Sequence, residues 1–419
     1  MSEVMNGVHN HELRTWAGNG IDELMDSLAT EFARQALNPS QHEPAGKDPR
    51  YQAACQGWMN ELNLGPATVT YESFARKLFD RQLRNHNKEL LTSDIRPANE
   101  VNRAIRAVQA TILFRGEADY PQEYTDPVLW QKSIRQVVEY DPSQPDTKLF
   151  HNAIVNRDTQ SNIERRAKAT KLGMFALSRV IGENTSILDL GTSQMKGLKK
   201  LKLNSPFEPI EVLSKASRRF TKKPDIVSPG LTEWANELLA INIEYGDCIG
   251  VDYWLMNDEE VKFWAKACSF YPSELLNEHL VESYDMLEAP VPGVTFARAD
   301  ITDAVKLDCA LDPYQEFGVA NISTVLNQLG PQQQQKAIDN ALTYSDVCLI
   351  SDFMHIDKTN PVGIHFNESW QQDPFVTAAI VKGQEHKGLQ KLFTWENGRC
   401  QRMRPNFGNP AVKRLFEIS

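Results

Sequence analysis

Three acids stand where short apolar runs end. Asp189 closes SILD (186–189), Asp252 interrupts IGVDYW (249–254), and Asp300 follows VTFARA (294–299). A carboxylate at the second position can accept both hydrogen bonds of a ribose diol. One at the third can accept from an exocyclic amine of adenine. After the first acid, Gly191 permits a sharp turn and lets a ligand lie against backbone, since it has no Cβ to clash. Each acid also has a plain structural use, because Asp after a strand is a common turn former and helix cap. The weight lies in the ordered set.

The same inspection extends to neighbouring residues. Thr192 and Ser193 follow Gly191, Tyr253 follows Asp252, and Ile301 follows Asp300. Tyr253 can lie on an adenine face, and Trp254 suits a core. Two further apolar runs, FGVANIST (317–324) and DVCLISDF (346–353), offer Asn321, Ser323 and Asn327, then Asp352 and His355. In open α/β sheets ligands bind at the carboxyl ends of strands. All these residues therefore converge only if the five runs are parallel strands of one sheet.

The intervening sequence supports that arrangement. Helical patterns separate most of the runs: 232–243, 258–270, 273–287 and 331–344. Asn257 is placed to cap the second of these, with Glu260 three residues on. Strands alternating with helices predict a mostly parallel sheet covered on both faces. A long helix from 162 to near Gly182 leads into the first strand. Near the end, Asn397-Gly398 lies between two extended runs and predicts a type I′ hairpin.

Residues 1–160 read differently. Val101, Ile105, Val108 and Ile112 recur at helical spacing, as do Tyr71, Phe74, Leu78 and Phe79, and Leu129, Trp130, Ile134, Val137 and Val138. Prolines at 121, 127, 142 and 145 punctuate them. The expectation is an all-helical region over 1–160, followed by an α/β domain over 161–419.

Composition narrows the function classes. The chain has 419 residues, of which 41% are hydrophobic and 24% charged, and it carries a net charge of −10. That balance disfavours a protein built mainly to bind a polyanion. Its six cysteines are scattered without a C-x-x-C pair. Neither a disulfide framework nor a zinc ribbon is indicated. There is no metal-type histidine pattern and no G-x-S-x-G elbow. No leader-like or membrane-length apolar run is present, so a cytoplasmic protein without membrane contact is expected.

Residues 161–419 resemble the class I S-adenosylmethionine-dependent methyltransferases. That family has a leading helix and a Rossmann-like, seven-stranded sheet with an antiparallel last strand delivered by a hairpin. Its first-strand motif is an acid followed by glycines at alternate positions. Here the motif stands as DLGTSQM: Asp189 and Gly191 match, while Ser193 and Met195 replace the later glycines. The glycine pair that usually precedes the fifth strand is replaced by Ser345-Asp346. The resemblance implies S-adenosylmethionine as cofactor. Asp252 would hold the ribose and Asp300 the adenine side. Asp189, Gly191 and Thr192 would hold the methionine portion, with Ser193, Tyr253, Ile301 and Asn321 nearby. The substrate side would draw on Asn327, Asp352 and His355. The implied reaction is methyl transfer to an unidentified acceptor, such as a small molecule.

Two other classes compete. A dinucleotide oxidoreductase would need G-x-G-x-x-G after the first strand, which is absent. A non-catalytic scaffold or ligand sensor is favoured by the lost glycines and opposed by Asp252 and Asp300. The wide spacing of the first two strands implies an insertion near 202–231. Around its start, Lys196, Lys199, Lys200, Lys202, Lys215, Arg218, Arg219, Lys222 and Lys223 are opposed only by Glu208 and Glu211. This is an RNA-contact candidate over 196–223, weighed against a solvated loop. With only Phe207 and Phe220 among the charges, base stacking has little to use.

Overall fold

The computed structural model describes residues 29–30, 49–63, 97–115, 125–138, 145–156, 166–193, 195–213, 226–253, 264, 267, 289–311, 316–356, 364–365, 374–396, 398 and 400–416. The chain divides into two compact units. One comprises Met1–Ser161 with Asn257–Ser283; the other comprises Asn162–Met256 with Tyr284–Ser419. The second unit is therefore discontinuous: 257–283, read from the sequence as part of the α/β domain, clusters with the first unit.

In the first unit the described helices are Pro49–Asn63, Pro97–Phe114, Pro127–Val138 and Pro145–Asn156. Each begins on proline, whose fixed φ suits the first helical position and whose missing N–H is not needed there. The stripes Val101, Ile105, Val108, Ile112 and Trp130, Ile134, Val137 are wholly buried, and Leu129 is 37% exposed. Trp58, Phe150, Trp264 and Ala267 complete that core. Glu61 ties two of these helices together through Arg135 Nη2 at 3.0 Å. The stripe at 71–79 and the helices expected over 258–270 and 273–287 lie outside the described residues, apart from Trp264 and Ala267.

The second unit is an α/β fold around a nine-stranded mixed sheet. Its strands are β1 (Ile187–Leu190), β2 (Glu211–Val212), β3 (Cys248–Asp252), β4 (Val294–Arg298), β5 (Phe317–Ser323) and β6 (Ser345–Phe353). A short ladder, β7 (His355–Ile356) with β8 (Ile364–His365), stands apart. The sheet continues with β9 (Phe375–Val381), β10 (Gln390–Trp395) and β11 (Arg402–Pro405). Spatial order is β2-β11-β10-β9-β6-β5-β1-β3-β4. From β4 to β6 all neighbours are parallel. The chain runs outward from β1 through β3 to β4, then returns to β5 on the other side of β1. That reversal opens a crevice at the carboxyl ends of β1 and β5, the place where such sheets bind ligands.

The five parallel strands match the sequence expectation; the antiparallel half corrects it. Among the described residues the main sheet has nine strands, not seven, and the strand against β6 is β9, antiparallel over Val347↔Val381 to Phe353↔Phe375. Its sequence, FVTAAIV, is buried at every position and has no alternation by which a strand could be recognised. The turn expected at 397–398 falls between β10 and β11, where Trp395 faces Met403 and Glu396 N–H donates to Arg402 O. Among the described residues between β10 and β11, Cys400 is left-handed, with φ 53°. Gly398 is required for another reason: a Cβ there would lie 2.9 Å from the Phe353 ring. Asn397 lies outside the described residues. The segment read as an insertion supplies β2, which pairs parallel with β11 at the sheet edge.

Side chains alternate across the sheet and separate two cores. Ile187, Val319, Val347 and Leu349 join the helices Ala167–Ala176 and Pro229–Ala240 on one face. Leu188, Leu190, Ala320, Ile322 and Ile350 join the helix Pro331–Tyr344 on the other. The leading helix breaks at Leu177 and resumes as Ser178–Ile181 before Gly182. Within it Gly173 lies over Leu349; a Cβ there would be 2.7 Å from Leu349 Cδ2, so glycine lets the helix press close to the sheet.

Candidate functional site

Period-two alternation puts Asp189 and Asn321 on the face of the leading helix, at the end of the apolar stripe begun by Ile187 and Val319. The two residues are register partners on adjacent strands. Asn321 Nδ2 donates to Asp189 Oδ1 at 2.6 Å, and Thr192 Oγ1 donates to Asp189 Oδ2 at 2.6 Å. Thr170 Oγ1, on the leading helix, donates to Asn321 Oδ1 at 3.0 Å. Both carboxyl oxygens of Asp189 are thus held by protein donors. Burial pushes its carboxyl above the usual Asp value; the bonds from Thr192 and Asn321 pull it back, and the nearby Asp252 charge adds to the rise.

The loop after β1 has an unusual backbone. Gly191, Ser193 and Met195 all take positive φ, at 78°, 54° and 54°. The motif's alternate-glycine conformation therefore persists at two positions without glycine. For residues with a Cβ this costs about 1–2 kcal/mol each, and such strain persists only where the surroundings enforce it. The enforcing contacts are visible. Gly191 and Thr192 N–H groups donate to Val251 O at 2.8 and 3.1 Å, and Ser193 N–H donates to Asp252 Oδ2 at 2.8 Å. Met195 is 5% exposed and packs on Gly250 of β3, where a Cβ would come within 2.6 Å of it. It fills the core beneath the loop. At Gly191 the absent Cβ would meet Val325, which follows β5, so the loops after β1 and β5 rest on each other.

Asp252 thus stands beside the loop. Tyr253 follows it, 51% exposed. Arg298 at the end of β4 lies 5.9 Å over the Tyr253 ring and donates from Nε to Tyr253 O at 3.1 Å. Asp300 Oδ1 accepts from Thr302 N–H at 2.9 Å and from Thr302 Oγ1 at 2.8 Å. This is the turn-forming use of an aspartate. Its Oδ2 accepts no hydrogen bond from the described residues. Ile301 is buried in the core, and its carbonyl is engaged by Asn340 Nδ2 at 2.9 Å. Trp254 lies outside the described residues.

On the other side of the crevice, Asp352 is fully buried; Oδ1 accepts from Phe353 N–H at 2.8 Å and Oδ2 from Asn327 N–H at 3.2 Å. Ser323 Oγ and Asn327 Oδ1 are buried atoms with no hydrogen-bond partner among the described residues. His355 pairs across the β7–β8 ladder with His365. Sequence reasoning missed Arg166, just before the leading helix. It is 8% exposed, donates to Gly398 O at 3.0 Å and to Thr324 Oγ1 at 2.5 Å, and lies 5.4 Å over Phe375. No spacing signal could have found it, because Thr324 and Gly398 lie 158 and 232 positions further along the chain.

The described part of the basic stretch is used internally. Lys199 Nζ donates to Ala289 O at 3.1 Å, and Lys202 Nζ to Tyr245 O and Gly246 O at 2.5 and 2.9 Å. Lys200 lies 5.3 Å over Phe207. Residues 214–223 lie outside the described residues. Among the described residues there is no His, Cys, Asp and Glu cluster able to hold a metal, and no helix long and apolar enough to cross a membrane.

No protein-family model matches the chain, and no curated protein matches it either. Among solved structures it is similar to the methyltransferase domain of bacterial CtHen1-CN, at 12% identity over 47% of this chain and 69% of that one, with a TM-score of 0.24. It is similar to the plantazolicin methyltransferase BamL, solved with a triazolic desmethylPZN analog and SAH, at 10% identity over 70% of each chain and a TM-score of 0.25. A third is an O-methyltransferase family protein from Burkholderia thailandensis, at 10% identity over 84% of this chain and 81% of that one, with a TM-score of 0.23. TM-scores this low carry no argument about activity; the α/β fold stands on the strand order and register.

Proposed function

We propose that the second unit binds S-adenosylmethionine at the carboxyl ends of β1, β3 and β4 and directs its methyl group to an acceptor held beside β5 and β6. The observation that carries this reading is the strained loop 191–195, pinned at Ser193 N–H by the Asp252 carboxylate. Strain held in place at a strand-tip crevice is a mark of a functional site.

The residues present suit this cofactor better than a phosphate-bearing one. Asp189, Asp252 and Asp300 would repel a pyrophosphate, whereas a ribose diol and an adenine amine can donate to carboxylates. Asp252 would take the ribose and Asp300 Oδ2 the adenine edge, with Tyr253 beside them. When bound, S-adenosylmethionine supplies an electrophilic methyl group on a cationic sulfur. The chain's own task is alignment: the acceptor must be held in line with that methyl, which needs orientation more than a dedicated base. Ser323 Oγ and Asn327 Oδ1, without a partner among the described residues, have capacity to spare for orienting an acceptor.

Calorimetric titration with S-adenosylmethionine, S-adenosylhomocysteine and NAD tests the reading. Micromolar binding of the first two and none of NAD is expected. Binding of NAD alone would overturn it.

A further inference from the structure

The hydrogen-bonded chain Thr170–Asn321–Asp189–Thr192 crosses from the leading helix through β5 and β1 to the loop. Its register is fixed by the sheet, since Asp189 and Asn321 are paired positions. Its third dimension is fixed by Gly173, which brings the helix near enough for Thr170 to reach Asn321. We infer that Thr170 and Asn321 are positioning residues that orient the Asp189 carboxyl and thereby hold Thr192 and the loop in the shape required for ligand binding. The inference rests on the reading of that loop as a cofactor loop. It changes the role expected for Asp189, which becomes an internal strut for the loop in place of a contact to the methionine portion.

The atoms each group offers decide the orientation. Asn321 has one acceptor oxygen and one donor nitrogen on its amide. Thr170, 3% exposed, occupies the oxygen, which leaves Nδ2 facing Asp189. Without the Thr170 hydroxyl, Asn321 Oδ1 is left buried and unsatisfied. The amide then has no anchor on its oxygen side and is free to rotate away from the position in which Nδ2 meets Asp189. Asp189 then loses the donor that orients it, and Thr192 its fixed partner. Valine has the shape of threonine, so Thr170→Val removes the hydroxyl with little change in packing.

The experiment measures two things on the full chain. Hydrogen exchange reads the peptide amides of 191–193 and, as a control, those of 317–320. Titration reads S-adenosylmethionine affinity. For Thr170→Val, faster exchange at 191–193 with unchanged exchange at 317–320 is expected, together with about tenfold weaker binding, the loss for one unsatisfied buried polar group. Thr170→Ser, which keeps the hydroxyl, should restore both, an outcome that loss of packing alone would not give. Thr170→Ala replaces Thr170→Val if the latter folds poorly. Unchanged loop exchange and unchanged affinity in the valine variant would overturn the inference. Faster loop exchange in a protein whose wild type binds no S-adenosylmethionine would uphold the positioning role and remove the cofactor reading.

Discussion

Ser323 and Ser351 are register partners on β5 and β6, yet their hydroxyls have opposite circumstances. Ser351 Oγ lies 3.0 Å from Thr377 Oγ1. Ser323 Oγ is buried with no partner among the described residues. A buried polar atom left unpaired costs about 1–3 kcal/mol, whereas a made hydrogen bond contributes about 1 kcal/mol net. Ser323→Ala should therefore leave the second unit as stable as wild type, or more stable by about 1 kcal/mol. Ser351→Ala should destabilise it by about 1 kcal/mol or more, because it also takes a partner from Thr377 Oγ1. For a domain of this size, about 1 kcal/mol corresponds to about 2–4 °C in Tm. Differential scanning calorimetry of both variants reads the contrast. A stable Ser323→Ala with unaltered S-adenosylmethionine affinity would fit a hydroxyl kept for the acceptor. The reasoning is refuted if Ser323→Ala loses as much stability as Ser351→Ala.

Other outcomes follow from the same geometry. Asp189 holds its proton to higher pH folded than unfolded, so folding takes up a proton. Stability therefore falls as pH climbs from the ordinary value of 3.8 through the raised one. Asp189→Asn removes that slope, so urea titrations across pH should show the variant gaining on wild type as pH rises and no gain below 3.8. Gly191→Ala places a Cβ against Val325 at a φ of +78°. The backbone alone should cost about 1–2 kcal/mol; Gly191→Ala with Val325→Ala should relieve the clash but not that remainder, as urea denaturation will show. Burial pushes the thiols of Cys248 and Cys400 up to about 11 and about 12. Among the cysteines of the described residues, a thiol reagent should label the exposed Cys309 in the folded protein before Cys55, Cys248, Cys348 and Cys400, which should react only on unfolding.

The parallel half of the sheet was legible because each strand is an apolar run and helical patterns separate most of them. Residues 331–344 form a helix over the full stretch expected. The antiparallel half was not. β9 has no polar face to reveal it, and β2 is a two-residue strand whose pairing with β11 no local pattern encodes. Within the site, Asp189, Asp252 and Asn321 could be picked out because they stand at or near strand ends. What they do could not be read there. Asp189 is held by Asn321, 132 positions further on, and Asn321 in turn by Thr170, 151 positions back. Spacing revealed the lost glycines at 193 and 195, but only the backbone angles reveal that the glycine conformation persists without them.

The measurement that bears most directly on the central claim is calorimetric titration of Asp252→Ala beside wild type with S-adenosylmethionine. Asp252 pins Ser193 and is assigned the ribose. Wild type should bind in the micromolar range and the variant at least about tenfold more weakly. Equal affinity in the two proteins, or no binding to wild type, would contradict the account.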